Sequence, residues 1–151
     1  MWGCVRQACL FTKELIARQK ELVVRTVIKD VAAFHRATDT PVLDKPQIIS
    51  ADRMGLRWRL IDEEVNTELV AAMAAKSLPD IADAIADSIY VLVGTALEYG
   101  IPLDRVWNAV QAANMAKVDP VTGLVRKRTD GKILKPDGWL PPDIAGILRT
   151  A

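Results

Sequence analysis

The stretch from residue 78 to residue 99 reads LPDIADAIADSIYVLVGTALEY. Apart from Glu98 near its end, its charged residues are three aspartates, Asp80, Asp83 and Asp87. At about 100° per residue, these aspartates share one narrow stripe of a helix. Apolar and small residues fill the other faces. The pattern predicts a helix that is buried on nearly every side and carries carboxylates along one edge.

The rest of the chain shows helical periodicity interrupted by proline and glycine, and no alternating strand pattern. The predicted helices run from Thr12 to Ala37, from a Ser50 cap to Lys76, from a Ser77 cap to Tyr99, and from Pro102 to Lys117. The remainder, from about residue 118 to 151, is predicted to be an irregular basic arm. We expect a single all-α domain over residues 1–151, with about four main helices in the protomer and a bundle completed by dimerisation.

The composition excludes several classes of protein. Half of the 151 residues are hydrophobic, 26% are charged and the formal net charge is +1, which argues against disorder and against binding to nucleic acid polymers. Cys4 and Cys9 fit neither a disulfide framework nor a zinc pattern, so we interpret them as reduced thiols. No signal peptide and no apolar run of about 18 residues is present. These features predict a cytoplasmic protein without membrane association.

The small net charge hides an uneven distribution. Residues 62–104 contain nine acids and one base, Lys76. The first 36 residues and the stretch from Lys117 onward are both basic. An acidic centre between basic flanks is the first indication of a functional site.

The second predicted helix also carries carboxylates where an apolar face is expected. With Glu64 at 0°, Glu68 falls at about 40°, among Leu60, Ile61 and Val65. Burying unpaired carboxylates costs several kcal/mol each, roughly, so a partner is required. That partner is either a base, such as Arg57, Arg59 or a residue of the first helix, or a divalent cation.

Five carboxylates on two consecutive helices with almost no nearby base favour the cation. Oxygen ligands suit Mg²⁺, with Mn²⁺ as a possible substitute. A di-iron site would need Glu-x-x-His pairs, and the single histidine, His35, lies elsewhere. We expect His35 to be a packed or rim residue.

Two acidic runs resemble the motifs of a known family. Residues 60–69, LIDEEVNTEL, are similar to the first acidic motif of the MazG-like all-α nucleoside triphosphate pyrophosphohydrolases, and residues 80–90, DIADAIADSIY, to the second. The segments Gly94–Ala96, Gly100–Asp104, Asn114–Lys117 and Asp130–Pro136 resemble the branch near phosphoribosyl-ATP pyrophosphohydrolase and the MazG-like dUTPases. The resemblance covers about residues 31–147.

The resemblance implies Mg²⁺-dependent cleavage of a nucleoside triphosphate to a monophosphate and pyrophosphate by a helical dimer or tetramer. The family pattern is Glu-Glu-x-x-Glu followed by Glu-x-x-Asp. This sequence departs from it twice: Thr67 stands where the third Glu of the first motif is expected, with Glu68 one step later, and Ala84 stands three residues before Asp87, where Glu is expected.

The site residues implied by this resemblance fall into two groups. The expected metal ligands are Glu64, Glu68, Asp83 and Asp87, with Asp80 peripheral to them. Glu63 is expected to orient or deprotonate the attacking water.

The basic arm supplies candidates for substrate binding. Asn114 and Lys117, one turn apart at the end of a helix, are expected to contact phosphate or sugar, together with Lys132 and Lys135. Arg126, Lys127 and Arg128 are equally compatible with a solvated basic loop. The arm also contains Trp139, which is expected to pack on the helical body rather than cover a base; Trp58 and Trp107 are expected in the core.

These features predict a pyrophosphohydrolase that removes non-canonical or deoxy nucleotides. The alternatives are a catalytically idle nucleotide-binding or regulatory module on the same scaffold, and a purely structural helical dimer whose acids pair with arginines.

Overall fold

The computed structural model describes residues 24–151, and within them the all-α prediction is confirmed. The predicted start of the first helix, from Thr12 to residue 23, lies outside the described residues, as do Cys4 and Cys9. The helices are α1 over residues 24–37, α2 over Ala51–Ile61, α3 over Leu69–Ala75, α4 over Leu78–Glu98, α5 over Leu103–Met115 and α6 over Ile144–Arg149. None of these helices has the length and apolar character needed to cross a membrane.

The second predicted helix is continuous from Ala51 to Ala75, but its centre is not an α-helix. Ser50 caps it as expected, because its hydroxyl accepts a hydrogen bond from the Arg53 amide at 3.4 Å. Between α2 and α3, the segment Asp62–Glu68 is π-helical. The Leu69 amide therefore donates to the carbonyl of Glu64, five residues earlier. A uniform 100° wheel does not hold across this segment.

Helix α4 matches its prediction within one residue. Pro79 lies in its first turn, where a missing amide hydrogen costs nothing. Ser77 is the N-cap residue, as predicted, although its side chain makes no capping hydrogen bond. Gly100 ends the helix at φ +63°, and a β-carbon there would collide with the Lys45 backbone. Only glycine satisfies both constraints.

The described residues form two compact units, which we treat separately: residues 24–101 and Pro102–Ala151. In the first unit, α4 packs against α2, the π-helical segment and α3. The rings of Phe34 in α1 and Tyr90 in α4 meet edge to face, with 5.8 Å between their centroids. Small side chains between the helices allow them to pack closely. The buried apolar residues among those described are Val31, Ala32, Ala72, Ala84, Val93 and Ala96.

Burial of α4 on nearly every side is not observed in this protomer. Ile85, Ile89 and Leu92 are 45%, 47% and 50% exposed, because α1 to α3 cover only part of the helix. Trp58 of α2 is 67% exposed and Trp107 of α5 is 52% exposed, so their assignment to the core is wrong within the described chain. Large apolar residues left open on helices are typical of association surfaces.

We therefore expect the protein to be at least a dimer in solution. Association would remove the exposed side chains of α4 from water, each of which contributes roughly 1.5–3 kcal/mol when fully buried. Light scattering coupled to size-exclusion chromatography tests the expectation. A monomer at micromolar concentration would contradict it.

A buried ionic network that the sequence did not single out joins α2 to α4. Glu98 is 0% exposed and receives two hydrogen bonds from Arg53, at 2.8 and 2.6 Å, and one from the buried Arg57 at 3.4 Å. Arg57 also donates to Thr95 Oγ1 at 3.1 Å and to the Val91 carbonyl. The network satisfies all three charged groups, as buried charges require.

His35 and Gly94 complete the packing beside this network. His35 is buried, with Nδ1 3.3 Å from the Pro41 carbonyl oxygen, which confirms the expectation of a packed histidine. A β-carbon on Gly94 would lie 2.7 Å from His35 Nε2 and 2.9 Å from Arg57 Nη2. Glycine is therefore needed where α4 passes these two side chains.

The second unit is more ordered than predicted. α5 ends at Met115, two residues before the predicted end, and α6 forms where an irregular arm was expected. Asp143 caps α6 through the amide of Gly146 at 2.8 Å. Between these helices, isolated antiparallel bridges join Val118 to Val125 and Lys127 to Ile133. The interpretation of the whole chain as one domain stays a prediction.

Candidate active site

Two adjacent helical segments bring together the acids singled out in the sequence. The π-helical segment contributes Glu63, Glu64 and Glu68, and α4 contributes Asp83 and Asp87. The buried Ser88 of α4 fixes one segment to the other, because its hydroxyl donates to the Glu64 carbonyl oxygen at 3.3 Å.

Glu64 lies at the centre of this acidic cluster, defined as Glu63, Glu64, Glu68, Asp83 and Asp87. Burial raises its pKa, and the charges of Glu68, Asp87, Glu63 and Asp83 raise it further, in that order. The four neighbours are exposed, whereas Glu64 is partly buried and its Oε2 atom is buried without a hydrogen-bond partner. An uncompensated oxygen among four negative charges favours the arrival of a cation.

The base-paired interpretation of these acids is wrong for Arg57. That arginine is engaged with Glu98, on a different part of α4. The other ion pairs between described side chains are Arg53 with Glu98 and Arg128 with Asp130. Neither includes a member of the acidic cluster.

Not all nearby acids belong to the cluster. Asp62 accepts a hydrogen bond from the Asn66 side chain at 3.0 Å, and Asp80 is not among the charges that raise the Glu64 pKa. Asp80 was expected to be peripheral, and this arrangement is consistent with that expectation.

The cluster suits a divalent cation chemically but is not a closed coordination shell. Among residues 24–151, no three His, Cys, Asp or Glu side chains converge at metal-binding distances. Mutual repulsion keeps uncompensated carboxylates apart. The donors are all carboxylates, and one of them has a buried, unpartnered oxygen. Carboxylate oxygens are the ligands that Mg²⁺ prefers, usually together with waters and substrate phosphates.

Comparison with known proteins shows the family of the chain. The family model of phosphoribosyl-ATP pyrophosphohydrolase matches residues 31–114, which is more than half of the chain. The chain belongs to the phosphoribosyl-ATP pyrophosphohydrolase family. A comparison with curated proteins gives no match. The matched residues include the whole acidic cluster, and membership implies a hydrolase that acts on pyrophosphate bonds.

In this member of the phosphoribosyl-ATP pyrophosphohydrolase family, three of the four predicted substrate-binding residues meet in the second unit. Lys117 Nζ donates to Asn114 Oδ1 at 2.8 Å and lies 5.1 Å from the centre of the Trp139 ring. Lys135 Nζ lies 4.2 Å from the same centre. The Trp139 indole donates to the Ala113 carbonyl at 2.7 Å, which confirms that it packs on a helix.

The fourth predicted residue, Lys132, is placed differently. It is exposed, and its main chain forms a turn with Arg128 and Asp130. Arg128 forms a half-exposed ion pair with Asp130 at 2.9 Å, as a solvated loop would. The basic surface of the second unit is therefore organised around Trp139, by Lys117 and Lys135.

The arm that follows α5 is shaped by local hydrogen bonds. Asp119 Oδ1 accepts from the amides of Val121 and Thr122 at 2.9 and 3.0 Å. The Thr122 and Val121 amides lower the pKa of this carboxyl. The family model ends at residue 114, so this arm lies outside the matched range.

Proposed function

We propose that the protein is a Mg²⁺-dependent nucleoside triphosphate pyrophosphohydrolase that removes non-canonical or deoxy nucleotides. The observation that carries the proposal is Glu64: it has a buried oxygen without a hydrogen-bond partner, and the charges of four other carboxylates within the family's matched range act on it. Glu64, Glu68, Asp83 and Asp87 would hold the cation, with Mn²⁺ as a possible substitute.

The proposed reaction adds water across the phosphoanhydride between the α- and β-phosphates, giving a nucleoside monophosphate and pyrophosphate. A bound divalent cation supplies positive charge for the phosphate oxygens. Glu63 is exposed beside Glu64, so its carboxylate can accept the proton of the attacking water. Burial and the neighbouring charges raise the pKa of Glu64, and a bound cation would oppose that effect.

A cleft in the first unit supports a nucleoside as the other part of the substrate. It has a volume of about 260 Å³ and is lined by Phe34, Tyr90 and the hydroxyl residues Thr38 and Thr40, among others. Two other lining residues connect the cleft to the acids: Leu60 lies one helical turn before Glu64, and Val91 lies one turn after Asp87. Aromatic rings with nearby hydrogen-bonding groups suit a planar base.

Release of pyrophosphate from a panel of nucleoside triphosphates tests the proposal directly. Canonical, deoxy and modified triphosphates are supplied with Mg²⁺, and inorganic tripolyphosphate serves as a control without a base. We expect Mg²⁺-dependent release that is faster from at least one nucleotide than from tripolyphosphate. Nucleotide binding without release would favour the idle binding module.

The acids and the lysines are expected to affect different kinetic constants. Glu63→Gln should lower kcat by about 10²–10⁴-fold, because general-base catalysis acts as charge develops in the transition state. Lys117→Ala and Lys135→Ala should mainly raise KM, because they meet charge already present in the bound triphosphate. Steady-state kinetics at two salt concentrations measures both effects.

Lys132→Ala is the comparison variant for the lysines. The structure does not place it with Lys117 and Lys135, so its effect on KM should be the smallest of the three. If the Lys117 and Lys135 variants leave KM unchanged, the surface around Trp139 does not bind substrate.

A further inference from the structure

The π-helical segment coincides with the departure of this chain from the family's first motif. The family pattern Glu-Glu-x-x-Glu has two residues between its second and third acids, whereas Val65, Asn66 and Thr67 stand between Glu64 and Glu68 here. Relative to that pattern, this chain carries one residue more between the two acids. The i→i+5 hydrogen bond from the Leu69 amide to the Glu64 carbonyl spans this extra residue.

We propose that the π-helical turn absorbs a one-residue insertion and thereby keeps Glu68 on the side of Glu64 that the family's third acid occupies, with the downstream helix in register. The proposal rests on the proposed cation site and assigns its third acid to Glu68 through backbone geometry. Single π-turns inside α-helices are rare and frequently occur at functional sites.

The geometry distinguishes position 68 from position 67. A π-helix advances by about 80° per residue, against about 100° in an α-helix. With the family's spacing in an α-helix, the third acid lies at about −60° from Glu64. In the π-turn Glu68 lies at about −40°, on the same side, whereas in an α-helix it would lie on the other side, at about +40°. Thr67 lies at about −120° in the π-turn, on another face. Restoring the family's spacing by moving the acid to position 67 would take it away from the cluster.

The packing on both sides of the segment shows what the π-turn preserves. Ser88 Oγ bonds the Glu64 carbonyl that also receives the Leu69 amide, so the turn is tied to α4. Beyond it, Ala72 of α3 is buried. A regular α-helix with the same number of residues would rotate Ala72 out of this position by about 100°.

Two variants restore the Glu-Glu-x-x-Glu spacing by different routes. Removal of Thr67 shortens the helix by the inserted residue and should return the segment to an α-helix with α3 in place. The exchange Thr67→Glu/Glu68→Thr keeps the length and the π-turn but moves the acid. Both positions are exposed, so the exchange should fold normally. Removal of Ala86, an exposed residue of the regular helix α4, is the control for shortening a helix without a π-turn.

The readouts are the melting temperature of the metal-free protein and Mn²⁺ binding by calorimetry. Removal of Thr67 should keep the melting temperature and the Mn²⁺ affinity of the wild type, while removal of Ala86 should lower the melting temperature strongly. The exchange should keep the melting temperature and weaken Mn²⁺ binding about tenfold or more.

If removal of Thr67 lowers the melting temperature as much as removal of Ala86, the proposal that the π-turn absorbs an inserted residue is wrong. Unchanged Mn²⁺ binding in the exchange variant would overturn the placement of Glu68. If the wild type binds no Mn²⁺ with or without nucleotide, the proposed function fails and the placement of Glu68 with it. The melting temperatures of the two deletion variants still test the inserted residue, because they are measured without metal.

Discussion

Glu64→Gln is expected to raise the melting temperature of the metal-free protein and to abolish the increase that Mg²⁺ gives the wild type. Without a cation, the Glu64 carboxylate is partly buried among four negative charges, so removing its charge relieves repulsion. With a cation, the same carboxylate is a ligand, and its loss removes the stabilisation that binding provides. Turnover should fall together with cation binding.

Differential scanning calorimetry with and without Mg²⁺ measures both effects. Asp62→Asn is the matched control, because this neighbouring acid bonds Asn66 and lies outside the acidic cluster. It should leave the Mg²⁺-induced increase unchanged. A Glu64→Gln protein that keeps the full increase would eliminate Glu64 as a ligand.

The raised pKa of Glu64 also fixes the direction of a pH effect. A carboxyl whose pKa is higher in the folded protein binds its proton more tightly there, so its contribution to stability is present at low pH. The melting temperature of the metal-free wild type should therefore fall as pH rises through this pKa, and less so in Glu64→Gln. Mg²⁺ affinity should change in the opposite direction, because protons compete with the cation.

Glu98→Gln is expected to cause the largest loss of stability of any single substitution proposed for this protein. It leaves the buried Arg57 and the partly buried Arg53 without a counterion. Breaking a buried ion pair by neutralising one partner costs about 3–5 kcal/mol. Urea unfolding at fixed pH should show a midpoint shift of corresponding size.

Asp130→Asn is the comparison for an ion pair in water. Its partner Arg128 and the carboxylate itself are each about half exposed. Such pairs contribute about 0.2–1 kcal/mol, so the midpoint should barely move. Equal effects of the two substitutions would show that the Glu98 network does not stabilise the fold.

The sequence predicted the helices well because their signals are local. Pro79 in the first turn of α4, Gly100 after its end and Ser50 before α2 mark the boundaries through the backbone constraints of those residues alone. The π-helical segment could not be predicted from a 100° wheel, since the wheel assumes the geometry that changes there. The displaced third acid was the only signal of it.

The membership of the acidic cluster was predictable, and the partners of the arginines were not. Helical spacing places Glu64 near Glu68 and Asp83 near Asp87, and the structure joins the two pairs. The pairing of Arg53 and Arg57 with Glu98 spans more than forty residues and depends on how α2 crosses α4. Exposure of Trp58 was likewise unpredictable, because it depends on which faces of the helices other elements cover.

The small size of the buried apolar side chains has a consequence for how the protein responds to dilution. Four of the six buried apolar residues among those described are alanines, which remove little hydrocarbon from water. If partner chains cover α4, part of the folding free energy comes from association, and the melting temperature then rises with protein concentration. The fraction of folded protein would depend on how much of it is present, so a change in expression level would also change its stability.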